Sequence, residues 1–128
     1  MALDWRDSGS LGEVKVIAAL PLEEDEYRKD FNEQEAQQFD ALSARIDSKF
    51  TLQPYSWQGA EMEKIKLADD PAVRATQPYS RERNAQYANL GAYLVRHANF
   101  VVALWDGCYL ENSAGGTGDV VRFMLNGR

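Results

Sequence analysis

Cysteine is nearly missing from these 128 residues: Cys108 stands alone, so no disulfide can form within the chain, and a reducing, cytoplasmic setting is expected. Its neighbours Asp106 and Glu111 are acidic and disfavour a thiolate, which reads Cys108 as an inert loop residue rather than a reactive thiol. Histidine is as scarce. With His97 the single one, a multi-histidine metal centre and a Ser-His-Asp triad both lack partners, and no metal is expected. Long apolar runs are absent too. None approaches the ~18 residues that a membrane span needs, and the opening residues Met1 to Arg6 have neither the basic nor the apolar part of a signal peptide. A soluble protein with no membrane partner is expected. Positive charge is in deficit, 14 basic against 20 acidic residues for a net −6, with no basic cluster to offset it, which argues against nucleic acid as a partner.

What is present suits one globular α/β domain over residues 1–128, since 45% hydrophobic and 11% aromatic residues can fill a core. The chain is organised around residues 100–119. Residues 100–105 are continuously apolar and rich in Val and aromatics, as in a strand buried on both faces of a parallel sheet, and Asp106 and Gly107 end it. Gly115, Gly116, Thr117, Gly118 and Asp119 follow. Val120, Val121, Met124 and Leu125 then share one helical face. Glycines let backbone N–H groups approach a ligand, and a helix start adds unpaired donors and a positive dipole end, a combination suited to phosphate. The same turn is also how any αβ unit reverses direction. No Lys-Ser/Thr pair follows the glycines and no dinucleotide fingerprint is present, so no cofactor is expected.

Elsewhere, residues 1–12 read as a flexible lead-in punctuated by Gly9 and Gly12. Residues 14–20 make a first strand, stopped by Pro21. Glu23, Glu24, Asp25 and Glu26 match the acid preference of a helix start, here running to about Phe31, better than a catalytic carboxylate cluster. Residues 32–47 form a helix with Ala36, Phe39, Leu42 and Ile46 inward and an Asn32–Glu35 capping pair. Residues 50–52 suggest a short strand. Residues 53–80 read as a variable loop or lid, with a short helix over residues 60–68 as the one regular possibility. A helix over residues 81–97 turns Tyr87, Leu90, Leu94 and Ala98 inward. Arg81 and Arg83 sit in its first turn, where the dipole disfavours cations, which hints at an anionic partner.

Three pieces together resemble the SLOG superfamily, Rossmann-like domains related to the LOG and DprA proteins. They are Ala103 to Gly107 with Gly115 to Asp119, the segment from Leu20 to Phe31, and Gln86-Tyr87 with residues 91–95. The resemblance implies a Rossmann-like three-layer sandwich, a short, mainly parallel sheet flanked by helices, with its ligand at the carboxyl ends of the strands. It further implies a nucleotide-binding or sensor-like module, with phosphate on Gly115, Gly116, Thr117 and Gly118 and a ribose hydroxyl on Asp106, beside Gly107. Trp105 and Tyr27 would wall the base, and Arg83 and Tyr87 would lie near the cleft. Such domains carry an earlier βα half and a later strand that this sequence lacks, so either a partial domain completed by a second copy, a homo-oligomer and most simply a dimer, or a lead-in that substitutes for the missing layer is expected. Two alternatives stand beside this reading. One is a self-associating scaffold without ligand; the other is a nucleoside 5′-monophosphate N-glycoside hydrolase using Asp119 or Glu111 as acid or base, although the spacing of Asp119 departs from the LOG pattern.

Overall fold

A computed structural model describes residues 1–10, 12–54, 59–108 and 116–127. The chain divides into two compact units, Met1–Leu52 and Gln53–Arg128. The architecture is mixed helix and strand, with a two-stranded parallel sheet as the only sheet among the described residues.

The first unit runs α1 (Ala2–Ser8), β1 (Ile17–Leu20), α2 (Glu24–Tyr27) with a 3₁₀ turn (Arg28–Asp30), α3 (Glu33–Arg45) and β2 (Ser48–Thr51). Parallel strands need a crossover, and α3 supplies it, setting Ile17 opposite Ser48 and Leu20 opposite Thr51. The start of α3 is fixed by the expected capping pair: Glu35 N–H donates to Asn32 Oδ1 and Asn32 N–H to Glu35 Oε2, both at 2.9 Å. Of its apolar stripe, Ala36, Phe39 and Ile46 are half-buried and Leu42 remains exposed.

The stretch expected to be a flexible lead-in contains α1, which buries Leu3 and ends at Gly9, whose φ of 66° is the left-handed helix stop that glycine adopts at little cost. Charge anchors it. Arg6 donates to Asp7 and Asp47, and Arg45 donates to Asp7. Asp47 also accepts the Val16 N–H at 2.6 Å, so one carboxylate ties the approach to β1 to the approach to β2 and to α1. Three carboxyls sit below their ordinary values for this reason: Asp47 through the Val16 amide and then Arg6, Asp7 through Arg45 and then Arg6, and Asp4 through the terminal ammonium.

The second unit holds α4 (Ala60–Glu63), α5 (Pro71–Arg74), α6 (Arg81–His97) and α7 (Thr117–Asn126). Its start, expected to be a loop or lid, is tied down by side chains reaching backbone carbonyls and amides. Arg74 donates to the Ala68 and Asp69 carbonyls, Gln77 accepts from Ala68 N–H at 2.7 Å, and Arg83 donates to the Ile65 carbonyl at 2.7 Å. Ile65 and Leu67 are buried there. The two long helices meet at Gly91, where a Cβ would lie 3.2 Å from Val120 Cγ2 and 3.9 Å from the Phe123 ring. Phe123 therefore takes the inward place that the sequence pattern gives to Leu125, which is 76% exposed.

The central expectation needs correction. Residues 100–105 form no strand; they have no regular secondary structure, Phe100 lies in a bend, and Phe100, Val102 and Leu104 are exposed at 90%, 69% and 82%. No backbone–backbone hydrogen bond joins residues 100–104 to another described segment, and β1 pairs with β2 instead. Apolar content expresses a preference for burial, but a strand also needs a neighbour for its amides, and that is not written in composition. No described helix is long and apolar enough to cross a membrane.

Two outcomes follow from these contacts. Carboxyls whose folded pKa is depressed add stability above their unfolded value of ~4 and lose it as pH falls through the lower folded values. Urea unfolding followed from pH 7 to pH 2 will show that loss, and Asp47→Asn, which keeps an acceptor for Val16, will make the slope shallower. Gly91→Val will wedge α6 from α7 and lower stability by about 1–3 kcal/mol in the same assay.

Candidate functional site

The helix α7 begins at Gly116, whose backbone is extended and which no side chain caps. The Gly116 carbonyl accepts from Asp119 N–H at 3.0 Å and Val120 N–H at 3.2 Å, which leaves the amides of Thr117 and Gly118 in the first turn, where a helix has no internal acceptor for them. These amides and the dipole make the end electropositive. Thr117 and Val120 form one side of an open groove of about 540 Å³; Leu94 and Ala98 of α6 form another, and residues 100–104 the third. The groove is apolar, with its polar end at Thr117.

Asp119 turns to its own helix. Its Oδ1 accepts from Arg122 at 2.6 Å, one turn on, and the side chain is largely buried. Beyond the groove wall, Trp105, Asp106, Gly107 and Cys108 close a turn: Asp106 Oδ1 accepts the Cys108 N–H and Trp105 Nε1 donates to the Cys108 carbonyl, both at 2.9 Å. Gly107 has φ 85°, which this turn requires and side-chain-bearing residues rarely adopt. One oxygen of Asp106 and the indole N–H of Trp105 thus shape the chain locally.

Arg83 and Tyr87 belong to a different place. Arg83 is fully buried, its guanidinium on the Ile65 carbonyl and 5.1 Å from the centre of the Tyr79 ring, which lies parallel to Tyr87 at 6.4 Å. Because α7 approaches α6 from Gly91 to Ala98, Thr117 lies beside Leu94, about 16 Å of helix from Arg83 at ~1.5 Å per residue. The structure does not bring Arg83 to the glycine turn. Tyr27 is in the first unit, half-buried against Phe31 and Phe39, and its hydroxyl pKa is raised by burial and then by Asp30. Gly115 and Glu111 lie outside the described residues.

Gln86 and Tyr79 were not singled out for burial or stacking by the pattern. Gln86 is fully buried one turn after Arg83. A signal for Arg83 did exist: it stands four residues before Tyr87, seven before Leu90 and eleven before Leu94, at the head of the apolar stripe of α6. Among the described residues no group of three or more His, Cys, Asp or Glu side chains is placed to hold a metal ion. Compared with known proteins, the chain matches no family model, no curated protein and no solved structure.

Arg83→Met will remove the donor from a buried carbonyl and lower stability by about 1–3 kcal/mol, read by urea unfolding. A variant as stable as the parent would return Arg83 to the list of residues free to serve a ligand.

Proposed function

We propose that this chain is a nucleotide- or nucleotide-derivative-binding module of Rossmann-like, SLOG-like build, holding a phosphate on the backbone of Gly116, Thr117 and Gly118. The observation that carries it is the uncapped start of α7 opening at Thr117 onto an apolar groove. A phosphate offered there meets first-turn amides, the Thr117 hydroxyl and the positive end of the dipole, while the groove offers apolar walls to a base. Its volume of about 540 Å³ falls within the ~300–1,000 Å³ of small-molecule sites. Asp106 retains a second carboxylate oxygen for a ribose hydroxyl. The hydrolase reading has less support, because Asp119 is engaged by Arg122 and is poorly placed to trade protons with a substrate.

Thermal denaturation with a panel of mono-, di- and triphosphate nucleotides tests the reading. A ligand at ~100 times its dissociation constant will stabilise the chain by about 2.7 kcal/mol. Thr117→Asp will place a carboxylate where the phosphate would sit, keep α7 helical because acids favour a helix start, and abolish the shift. Absence of any shift in the parent chain, or a shift that persists in Thr117→Asp, refutes the site.

A further inference from the structure

We infer that the bond between Asp106 and Gly107 is a modification site, where Asp106 converts through a cyclic imide to isoaspartate, the form recognised by carboxyl methyltransferases that act on isoaspartyl chains. The side chain of an aspartate or asparagine can be attacked by the backbone nitrogen of the next residue, and glycine, with no side chain, obstructs that attack least. Two places in the sequence offer such a pair, Asp106-Gly107 and Asn126-Gly127. The structure separates them. Asn126 ends α7, and the Gly127 N–H donates to the Phe123 carbonyl in a left-handed helix stop, which engages the nitrogen. At Gly107 no hydrogen bond joins the N–H to another described residue, Asp106 and Gly107 are both exposed, and a Cβ at Gly107 would meet no atom within 4 Å.

The turn also brings the reacting groups together. Because Asp106 Oδ1 accepts the Cys108 N–H at 2.9 Å, the carboxyl is folded forward along the main chain, over the Gly107 peptide unit. The Gly107 nitrogen bonds to Asp106 Cγ, its proton and the Cγ hydroxyl leave as one water, and the imide closes. A water then adds to the main-chain carbonyl carbon of Asp106 and breaks its bond to the Gly107 nitrogen. The chain now runs through Cβ and Cγ, and the freed carboxylate hangs from Cα. Addition at Cγ instead restores aspartate. One water leaves and one enters, so no oxidant or other reagent is required. The product carries an extra methylene in the main chain of a turn that Trp105 Nε1 closes on the Cys108 carbonyl at 2.9 Å, and it displaces the oxygen that holds the Cys108 N–H. This inference stands apart from the nucleotide reading, because its test contains no ligand.

The full folded chain, held at neutral pH in water enriched in the heavy oxygen isotope, tests this beside synthetic peptides of residues 101–108 and 121–128. Tryptic cleavage after Arg122 puts Asp106 and Asn126 in separate fragments, and mass spectrometric sequencing assigns the label to its residue. In the folded chain Asp106 will gain one heavy oxygen and become a substrate for an isoaspartate-specific methyltransferase at least as fast as in its peptide. Asn126 will convert more slowly in the folded chain than in its peptide, because the helix stop must first open. Asp106→Glu, whose imide ring would be one atom larger, will take up no label at that position. Slower conversion of Asp106 in the fold than in the peptide, label without methylation, equal labelling of Asp106→Glu, or equal conversion of Asn126 inside and outside the fold would each overturn the inference. The first of these would mean that the turn guards the bond instead of exposing it.

Discussion

The second unit depends on a side chain that is not there. At Gly91 the distance to Val120 leaves no room for a Cβ without displacement, so the backbone of α6 and the side chains of α7 meet directly. That approach fixes which end of α7 faces which end of α6. It puts Thr117 beside Leu94 and Ala98, and so gives the groove both its location and its one polar corner. A bulkier residue at position 91 would press on Val120 and so shift one wall of the groove from behind.

The neighbouring half of α6 solves a different problem with opposite means. There the buried face is polar, made of Arg83 and Gln86, and it packs against irregular chain rather than another helix. A buried guanidinium is costly unless its donors meet acceptors, and irregular backbone is costly unless its carbonyls meet donors. The Ile65 carbonyl and Arg83 settle part of both demands at once, and the Tyr79 ring lies close to the same cation. In the first turn of α6, where the dipole disfavours a cation, Arg83 meets a backbone oxygen.

Local rules were the legible part of the sequence. The Asn32–Glu35 cap, the span of α6 and the start of α7 near Gly116 each rest on chemistry within a turn of the residue concerned, and each is found. Longer-range features were less legible. Residues 100–105 have the composition of a central strand, but pairing is decided by another segment's position, and here β1 takes β2. Within residues 1–12 the helix α1 is held by Arg6 and Arg45, and beyond the short helix that the pattern allows within residues 60–68, Arg74 and Gln77 hold the chain by contacts that leave no periodicity. For the site, the uncapped helix start and Thr117 were legible, whereas the separation of Arg83 from them follows only from the direction in which α7 runs.

The clamps over residues 65–83 constrain something that composition does not. Arg74 must reach the carbonyls of Ala68 and Asp69, Gln77 the amide of Ala68, and Arg83 the carbonyl of Ile65, and every one of these spans contains the short run between Asp69 and Arg74. Adding or deleting a single residue in that run would put all three out of step together. A stretch whose prolines and polar residues suggest latitude in evolution is thus the place where insertions and deletions are least tolerated, even though many of its individual side chains remain exchangeable.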